Sequence, residues 1–269
     1  MRPNPRVQSR CKFDYGQQIL NFTRMKTLKL APLRCYQPEA VVPKSGDSRL
    51  HSFLLALSVV FNDLKGLLLF RRALAPLKPA DNEVSPAAGE WRGLEIQLQR
   101  YTIALVHELL ALIKEFQTEA EGPEITASLQ SAAPAVRSRW RNLVNVAIGA
   151  KTQGDLAFTK VLVQIRNNVA SHYHQPKALV AGYRRHFFEK SSSPVNKYAF
   201  ASLGKNMEHT RFYYADAALQ GAISSMTSGV GEETFAKRVR QLGTDINEAL
   251  ERVLSGHLAA AEVPSAEEE

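Results

Sequence analysis

Hydrophobic residues recur at steps of three and four along most of this chain, the spacing that places them on one face of an α-helix. The first such run follows Ser48, a residue type that caps helix N-termini, and continues to about Ala75. Pro76 then stops it, because a proline removes the amide hydrogen that a helix interior needs. The apolar positions of this first predicted helix are Leu50, Phe53, Leu54, Leu57, Val60, Phe61, Leu64, Leu67 and Leu68.

The helical spacing continues through the rest of the chain. Further helices are predicted at about 88–120, from Pro134 to Ile148, from Asp155 onward, in a shorter segment through Phe188, and at roughly 208–226 and 232–257. The alternating pattern typical of strands is missing from the sequence. At most, residues 198–203 could form one short strand. We therefore predict an all-α fold, an antiparallel bundle of about six to eight helices, since short connections favour antiparallel neighbours.

The two ends of the chain differ from this helical middle. Residues 1–45 lack sustained periodicity, contain five prolines and are rich in basic residues, so we expect a disordered N-terminal arm. Residues 259–269 end in three glutamates and are expected to form an acidic tail. The sequence thus predicts one helical domain over residues 46–258.

Charge is strongly segregated along the chain. The formal net charge is +8, yet residues 137–211 alone carry +10, from thirteen basic residues against three acidic ones. Such sign segregation creates a local positive field that attracts polyanions. We call residues 137–211 the basic segment; a solvated helix face is the competing interpretation, because most charge runs are only that.

Cysteine content and hydropathy bear on the cellular compartment. Cys11 and Cys35 are the only cysteines, which is too few for a disulfide scaffold or a zinc cage, so a reducing cytoplasm is expected. The most apolar run, Phe53 to Phe70, contains Asn62, Asp63 and Lys65, whose burial in lipid is costly. It is therefore predicted to be a buried core helix, and no membrane association is expected.

Candidate chemistry lies in the basic segment, where Arg166 and His172 stand near the end of the helix that begins at about Asp155. An arginine holds a permanent charge and a histidine titrates near neutrality, so the pair can stabilise a phosphate and move a proton. The predicted core stripe of this helix is Phe158, Val161, Leu162, Ile165 and Val169, and a further step of three adds His172.

Two less specific interpretations of the pair stay open. A histidine on an apolar stripe is often a satisfied core residue, which would make His172 structural. Arg166 has no acidic residue within four positions, so it forms either an ion pair across the fold or a contact with an anion. In a straight α-helix the two residues are about 120° and about 9 Å apart, so a bend, a helix end or a second copy of the chain must complete the site.

This segment resembles the signature of the HEPN superfamily of ribonucleases and toxins, in which an arginine and a polar residue precede a histidine near a helix end. Here Arg166 and Asn167 are followed by four residues and then His172. The resemblance implies cleavage of RNA without a metal or other cofactor, at a composite site formed by a homodimer. It assigns His172 the role of general acid or base, Arg166 that of stabilising the phosphorane, and Asn167 that of orienting the phosphate or the imidazole.

The same resemblance implies a 2′,3′-cyclic phosphate product, a place in toxin–antitoxin or antiphage systems, and an antitoxin or regulatory protein as a further partner. Binding of single-stranded RNA is assigned to the basic groups of the segment, namely Arg137, Arg139, Arg141, His174, Arg184 and Arg185. A competing hypothesis uses these groups without catalysis, in a helical module that binds nucleic acid or a protein. That module would tolerate loss of His172 but not of the arginines.

Overall fold

A computed structural model describes residues 35–36, 38–45, 48–81, 83–149, 153–170, 177–189, 198–259 and 262–263. By its contacts the chain divides into a large unit, 36–262, and a second unit formed by the two ends, 1–35 and 263–269. Of the second unit the structure describes only Cys35 and Val263. The large unit is an all-α helical bundle, which confirms the predicted fold class.

The bundle is built mainly from long helices. In the described residues these are α2 (Arg49–Leu74), α3 (Pro86–Glu115), α6 (Pro134–Ile148), α7 (Gln153–Ile165), α9 (Tyr213–Thr227) and α10 (Glu232–Leu258). Shorter segments are α1 (Pro38–Val41), α4 (Gln117–Ala120), α5 (Pro123–Ser128) and α8 (Lys177–Arg184), with two-residue strands at Cys35–Tyr36 and Glu262–Val263. Turns of π-helix extend α7 over Arg166–Ala170 and α8 over Arg185–Glu189.

Local signals set several helix ends where the sequence predicts them. The Ser48 hydroxyl accepts a hydrogen bond from the His51 amide at the start of α2, as expected for an N-cap. Gly149 ends α6 in the left-handed conformation, with φ of 71°, which favours glycine because a Cβ is strained there. The predicted helix over 88–120 is interrupted at Phe116, so its last turn is the separate segment α4.

The predicted burial of α2 is wrong beyond its first turns. Phe53, Leu54 and Leu57 are buried, but between Leu57 and Leu74 every residue of this described helix is at least partly exposed. Over Arg49–Leu77 this is one helix that is long and apolar enough to cross a membrane by length and composition alone. Core helices of globular proteins meet the same criterion, so it is weak evidence for a span.

The helix that carries the candidate motif is anchored in the core as predicted. Phe158, Val161, Leu162 and Ile165 of α7 are all buried, whereas the side chain of Val169 lies outside those described. The Phe158 ring packs against Phe235 of α10, and α7 also contacts α3. This stripe fixes the rotation of α7 and therefore the direction in which Arg166 leaves it.

Glycines bring α8 and α9 into unusually close contact. A Cβ on Gly182 would overlap the backbone of Ala218 and Ala222, and one on Gly221 would overlap the backbone of Gly182. The two helices can approach this closely only because neither position carries a side chain. The crossing fixes the position of the basic residues that follow Gly182.

A half-buried arginine, Arg211, anchors the loop that precedes α9. Ser202 and Arg211 form an antiparallel bridge, and the Arg211 guanidinium bonds Asp216 at 2.9 Å and Glu90 at 2.7 Å. Burial acts to lower the pKa of Arg211, but the bonds to the two carboxylates outweigh it and raise that pKa. The sequence predicts that α9 begins near Glu208. Instead it begins at Tyr213, because Arg211 and the residues before it belong to this loop.

Candidate functional site

Arg166 opens a turn of π-helix at the end of α7. The α-helical spacing stops at Ile165, and Arg166–Ala170 continue with the wider π-helical hydrogen-bond pattern. Single π-helical turns inserted in helices are rare and occur frequently at functional sites. The turn is a departure from straight α-helical geometry that begins at Arg166, within the motif.

The guanidinium of Arg166 bridges the turn and α3. Its Nε donates to Oε1 of Glu108 at 3.2 Å, and one terminal nitrogen donates to the side-chain oxygen of Asn167 at 3.2 Å. The Arg166 side chain is 34% exposed and that of Glu108 is 50% exposed. Of the two alternatives that the sequence leaves open for Arg166, the ion pair across the fold is therefore present.

A histidine that the sequence analysis missed stands beside this pair. His107 Nδ1 lies 3.5 Å from the Glu108 carboxylate, and no hydrogen-bond partner for this atom is found in the described part of the chain. Neither His107 nor Glu108 belongs to a recognisable local motif, and Glu108 meets Arg166 from a position 58 residues earlier. Only tertiary structure brings them together.

Two predicted site residues, His172 and His174, lie outside the described residues. Of the three predicted catalytic residues, the structure therefore describes Arg166 and Asn167. Asn167 is exposed at the π-helical turn and holds the guanidinium through its amide oxygen. These two residues lie together, as the motif requires.

The three predicted RNA-binding arginines of α6 point to different sides of the helix. Arg139 faces α10, where a terminal nitrogen lies 3.1 Å from Glu248 and 3.9 Å from the buried Asp245. Arg137 and Arg141 are exposed, and Arg137 donates to the carbonyl of Gln130 at 3.0 Å. Alternate residues on a helix lie about 200° apart, which explains the division. Arg139 thus stabilises helix packing, while Arg137 and Arg141 face solvent.

The remaining predicted RNA-binding arginines stand at the end of α8, which packs against the Arg166–Ala170 turn. Arg184 is exposed and Arg185 is half-buried. Aromatic residues surround these arginines: the half-buried Tyr183 and Phe187 rings are 4.6 Å apart, and Phe188 is 69% exposed. Exposed aromatic faces next to cations suit the stacking of unpaired bases.

Comparisons of the chain with models of protein families, with curated proteins and with solved structures find no match. What the protein does must therefore be inferred from its own residues. The described part of the site offers a half-exposed guanidinium, a carboxamide that orients it, and a carboxylate that neutralises it. A guanidinium in this setting can bind a phosphate oxygen through the donor groups that the carboxylate now occupies.

Proposed function

We propose that the protein is a metal-independent endoribonuclease of the HEPN type that acts on single-stranded RNA as a homodimer. The observation that carries the proposal is the position of Arg166, half-exposed at a π-helical turn and oriented by Asn167. The sequence adds His172, six positions later in the same motif. The segregated positive charge of the basic segment supplies the attraction for a polyanion.

The proposed reaction is an internal transesterification. The 2′-hydroxyl oxygen of RNA attacks the neighbouring phosphorus and loses its proton to a base, while the bond to the 5′-oxygen breaks and that oxygen takes up a proton. His172 serves as the general acid or base, and Arg166 stabilises the charge that develops on the phosphorane oxygens. The products are a 2′,3′-cyclic phosphate end and a 5′-hydroxyl end.

Glu108 has a definite place in this scheme. Its carboxylate occupies the Nε donor of Arg166 in the absence of substrate, at 3.2 Å. A half-exposed pair of this kind contributes only about 0–1 kcal/mol, so a phosphodiester can displace the carboxylate at small expense in free energy. Glu108 therefore keeps the guanidinium of Arg166 in position. When the phosphodiester binds, it replaces the Glu108 carboxylate as the acceptor of the Nε hydrogen bond.

The same proposal extends to the cellular role. An endoribonuclease of this type fits a toxin or an antiphage effector, restrained by an antitoxin or regulatory protein and active in the cytoplasm. These placements follow from the family resemblance of the Arg166–His172 motif.

The chemistry is tested with paired oligonucleotides and purified protein in the presence of a chelator. One oligonucleotide is all RNA, and the other carries 2′-deoxyribose at each position of cleavage found in the first. We expect cleavage of the first only, with cyclic phosphate ends, because the attacking hydroxyl is missing from the second. Cleavage of both, or cleavage that the chelator abolishes, would reject the proposed reaction.

A second candidate function has an observation of its own. Phe188 is 69% exposed and in ring contact with Tyr183, and a basic pair, Arg184 and Arg185, precedes it by four and three positions. These groups alone can bind RNA by stacking and charge, without cleavage. The test is binding of RNA that stays uncut. If Phe188→Ala abolishes this binding and His172→Ala retains it, the protein is a non-catalytic RNA-binding module and not the nuclease.

A further inference from the structure

Helix α2 carries an apolar face that nothing covers in the described part of the chain. Leu55, Val59 and Phe70 are 44%, 54% and 40% exposed. Asn62 and Gly66 are also exposed. In chain order these five residues are separated by four, three, four and four positions, which places all of them on one side of the helix. Exposed apolar side chains that line one side of a helix are typical of a contact surface.

A groove between α2 and α3 widens this face. It has a volume of about 460 Å³, and its lining includes Asn62 and Gly66 from α2 and Tyr101, Ala104 and Leu105 from α3. Tyr101 is 49% exposed, and the space above Gly66 is open, since a Cβ added there would have no atom within 4 Å. The apolar surface therefore spans two adjacent helices.

We propose that this surface, Leu55 to Phe70 of α2 with Tyr101 and Leu105 of α3, is the homodimer interface, on which a second copy of the chain packs its own α2 antiparallel. The occupant is inferred from self-complementarity, since a twofold axis places each patch against itself. The midpoint of the face lies between Asn62 and Asp63. Val59 and Gly66 are equidistant from this midpoint, as are Leu55 and Phe70.

When two copies of α2 pack antiparallel about that midpoint, each residue of the face meets a residue of suitable size or polarity on the other copy. Val59 enters the open space above Gly66 of the partner subunit, and the two large apolar side chains at the ends, Leu55 and Phe70, meet. At the centre, the Asn62 amide donates to the Asp63 carboxylate of the partner subunit. A polar pair at the centre of an apolar helix interface also fixes the register of the two helices.

The size of the surface fits a small, reversible dimer interface. Leu55 to Phe70 span about 24 Å of helix, and two packed helices are about 20 Å wide, which gives about 480 Å² on each subunit. The total of about 960 Å² is in the range of weak, transient protein interfaces. A lipid surface fits less well, because Asp63 and Lys65 would then stand at the middle of the span, where burial of a charge is most costly.

The inference rests on the homodimer part of the proposed function and not on its chemistry. Tyr101, Leu105 and Glu108 are spaced by four and three residues, so they share one face of α3. Glu108 is the residue that holds Arg166. The interface therefore lies along the same face of α3 as the candidate site, where a second subunit can complete it.

The interface is tested on the full chain by light scattering after size exclusion, without RNA. We expect a dimer for the wild type and a monomer for Val59→Asp, because two carboxylates would be buried at the contact. Val180→Asp is the matched control: Val180 is 48% exposed on α8, so this variant stays dimeric. A circular dichroism melt of each variant shows that it is folded, and RNA cleavage is measured separately, so failure of the interface and failure of the nuclease chemistry are distinguishable.

A second variant, which gives up the central amide but adds no charge, locates the contact by cross-linking. In a background with both cysteines replaced by serine, Asn62→Cys should be joined into a covalent dimer by a short bismaleimide, whereas Val180→Cys should not. A monomeric wild type, a dimer that survives Val59→Asp, or equal cross-linking of both cysteines would overturn the proposal. So would co-sedimentation with phosphatidylcholine–phosphatidylglycerol vesicles that Val59→Asp abolishes, since the surface would then bind lipid.

Discussion

Arg166 and Glu108 join the candidate motif to the longest helix of the bundle, with Nε of the guanidinium 3.2 Å from Oε1 of the carboxylate. The pair links α7 to α3 across 58 residues of sequence. It gives Arg166 a fixed direction without burying it, since the arginine side chain is 34% exposed. An anionic substrate that reaches this guanidinium would compete with the carboxylate of Glu108 for it.

Glu108→Gln should therefore strengthen RNA binding. Removing the negative charge of Glu108 removes one competitor of the phosphate for the guanidinium, and we expect an increase of about two- to fivefold in affinity at low salt, the range of an exposed ion pair. Fluorescence anisotropy with a labelled RNA measures it, with His172→Ala as the background so that RNA is not cut. Glu115→Gln, on the same helix, is the control and should leave affinity unchanged. Weaker binding by Glu108→Gln would show that the carboxylate helps hold the RNA.

Gly182→Ala should destabilise the fold. The new methyl group overlaps the backbone of Ala218 and Ala222, so α8 must move away from α9, at about 1–3 kcal/mol for overpacking. The comparison is Gly243→Ala in α10, where no atom lies within 4 Å of the added Cβ. That variant should be more stable than the wild type by about 0.5–1 kcal/mol, because alanine is the better helix former. Urea unfolding of both variants measures the difference; equal stability would show that the two helices do not cross this closely.

Arg211→Met should destabilise the protein by about 2–4 kcal/mol. The substitution leaves Asp216 and Glu90 without their shared cation, and Asp216 is only 17% exposed. Arg252→Met removes an exposed arginine that pairs with its neighbour Glu251, and its effect should stay below about 0.5 kcal/mol. The free energy of unfolding in urea separates the two; similar values for both variants would contradict the structural role of Arg211.

The Arg49–Glu119 pair predicts a pH dependence of stability. The hydrogen bond from Arg49 lowers the pKa of Glu119, so this pair stabilises the folded state above the carboxyl's ordinary value of 4.5 and ceases to do so as pH falls through the lowered pKa. The difference in Tm between the wild type and Arg49→Met should therefore shrink at acidic pH. Some difference should persist, because Arg49 also lies over the Phe116 ring and bonds the Glu115 carbonyl. A difference that grows on acidification would contradict this assignment.

Much of the fold could be predicted because its signals are local. Ser48 and Gly149 mark helix ends through their own side-chain and backbone chemistry, and the buried stripe of α7 follows from spacing alone. The exposure of α2 could not be predicted in this way. Periodicity shows which residues are apolar, but what covers them depends on the rest of the fold.

The candidate site shows the same division. The motif places Arg166 and Asn167 together because they are adjacent, and the structure keeps them in contact. Glu108 could not be assigned, since its approach to Arg166 depends on how α3 and α7 pack. The separation of Arg139 from Arg137 and Arg141 was accessible in principle, because helical geometry alone puts alternate residues on opposite sides.

Cleavage of a mixed-sequence single-stranded RNA, with a chelator present, tests the central claim most directly. The wild type, Arg166→Met, His172→Ala and His209→Ala are compared; the last is a control at an exposed histidine outside the motif. The wild type and His209→Ala should cut at equal rates and leave cyclic phosphate ends, Arg166→Met should be slower by about 10²–10³-fold, and His172→Ala should be inactive. No cleavage by the wild type, or cleavage that survives both motif substitutions, would contradict the account.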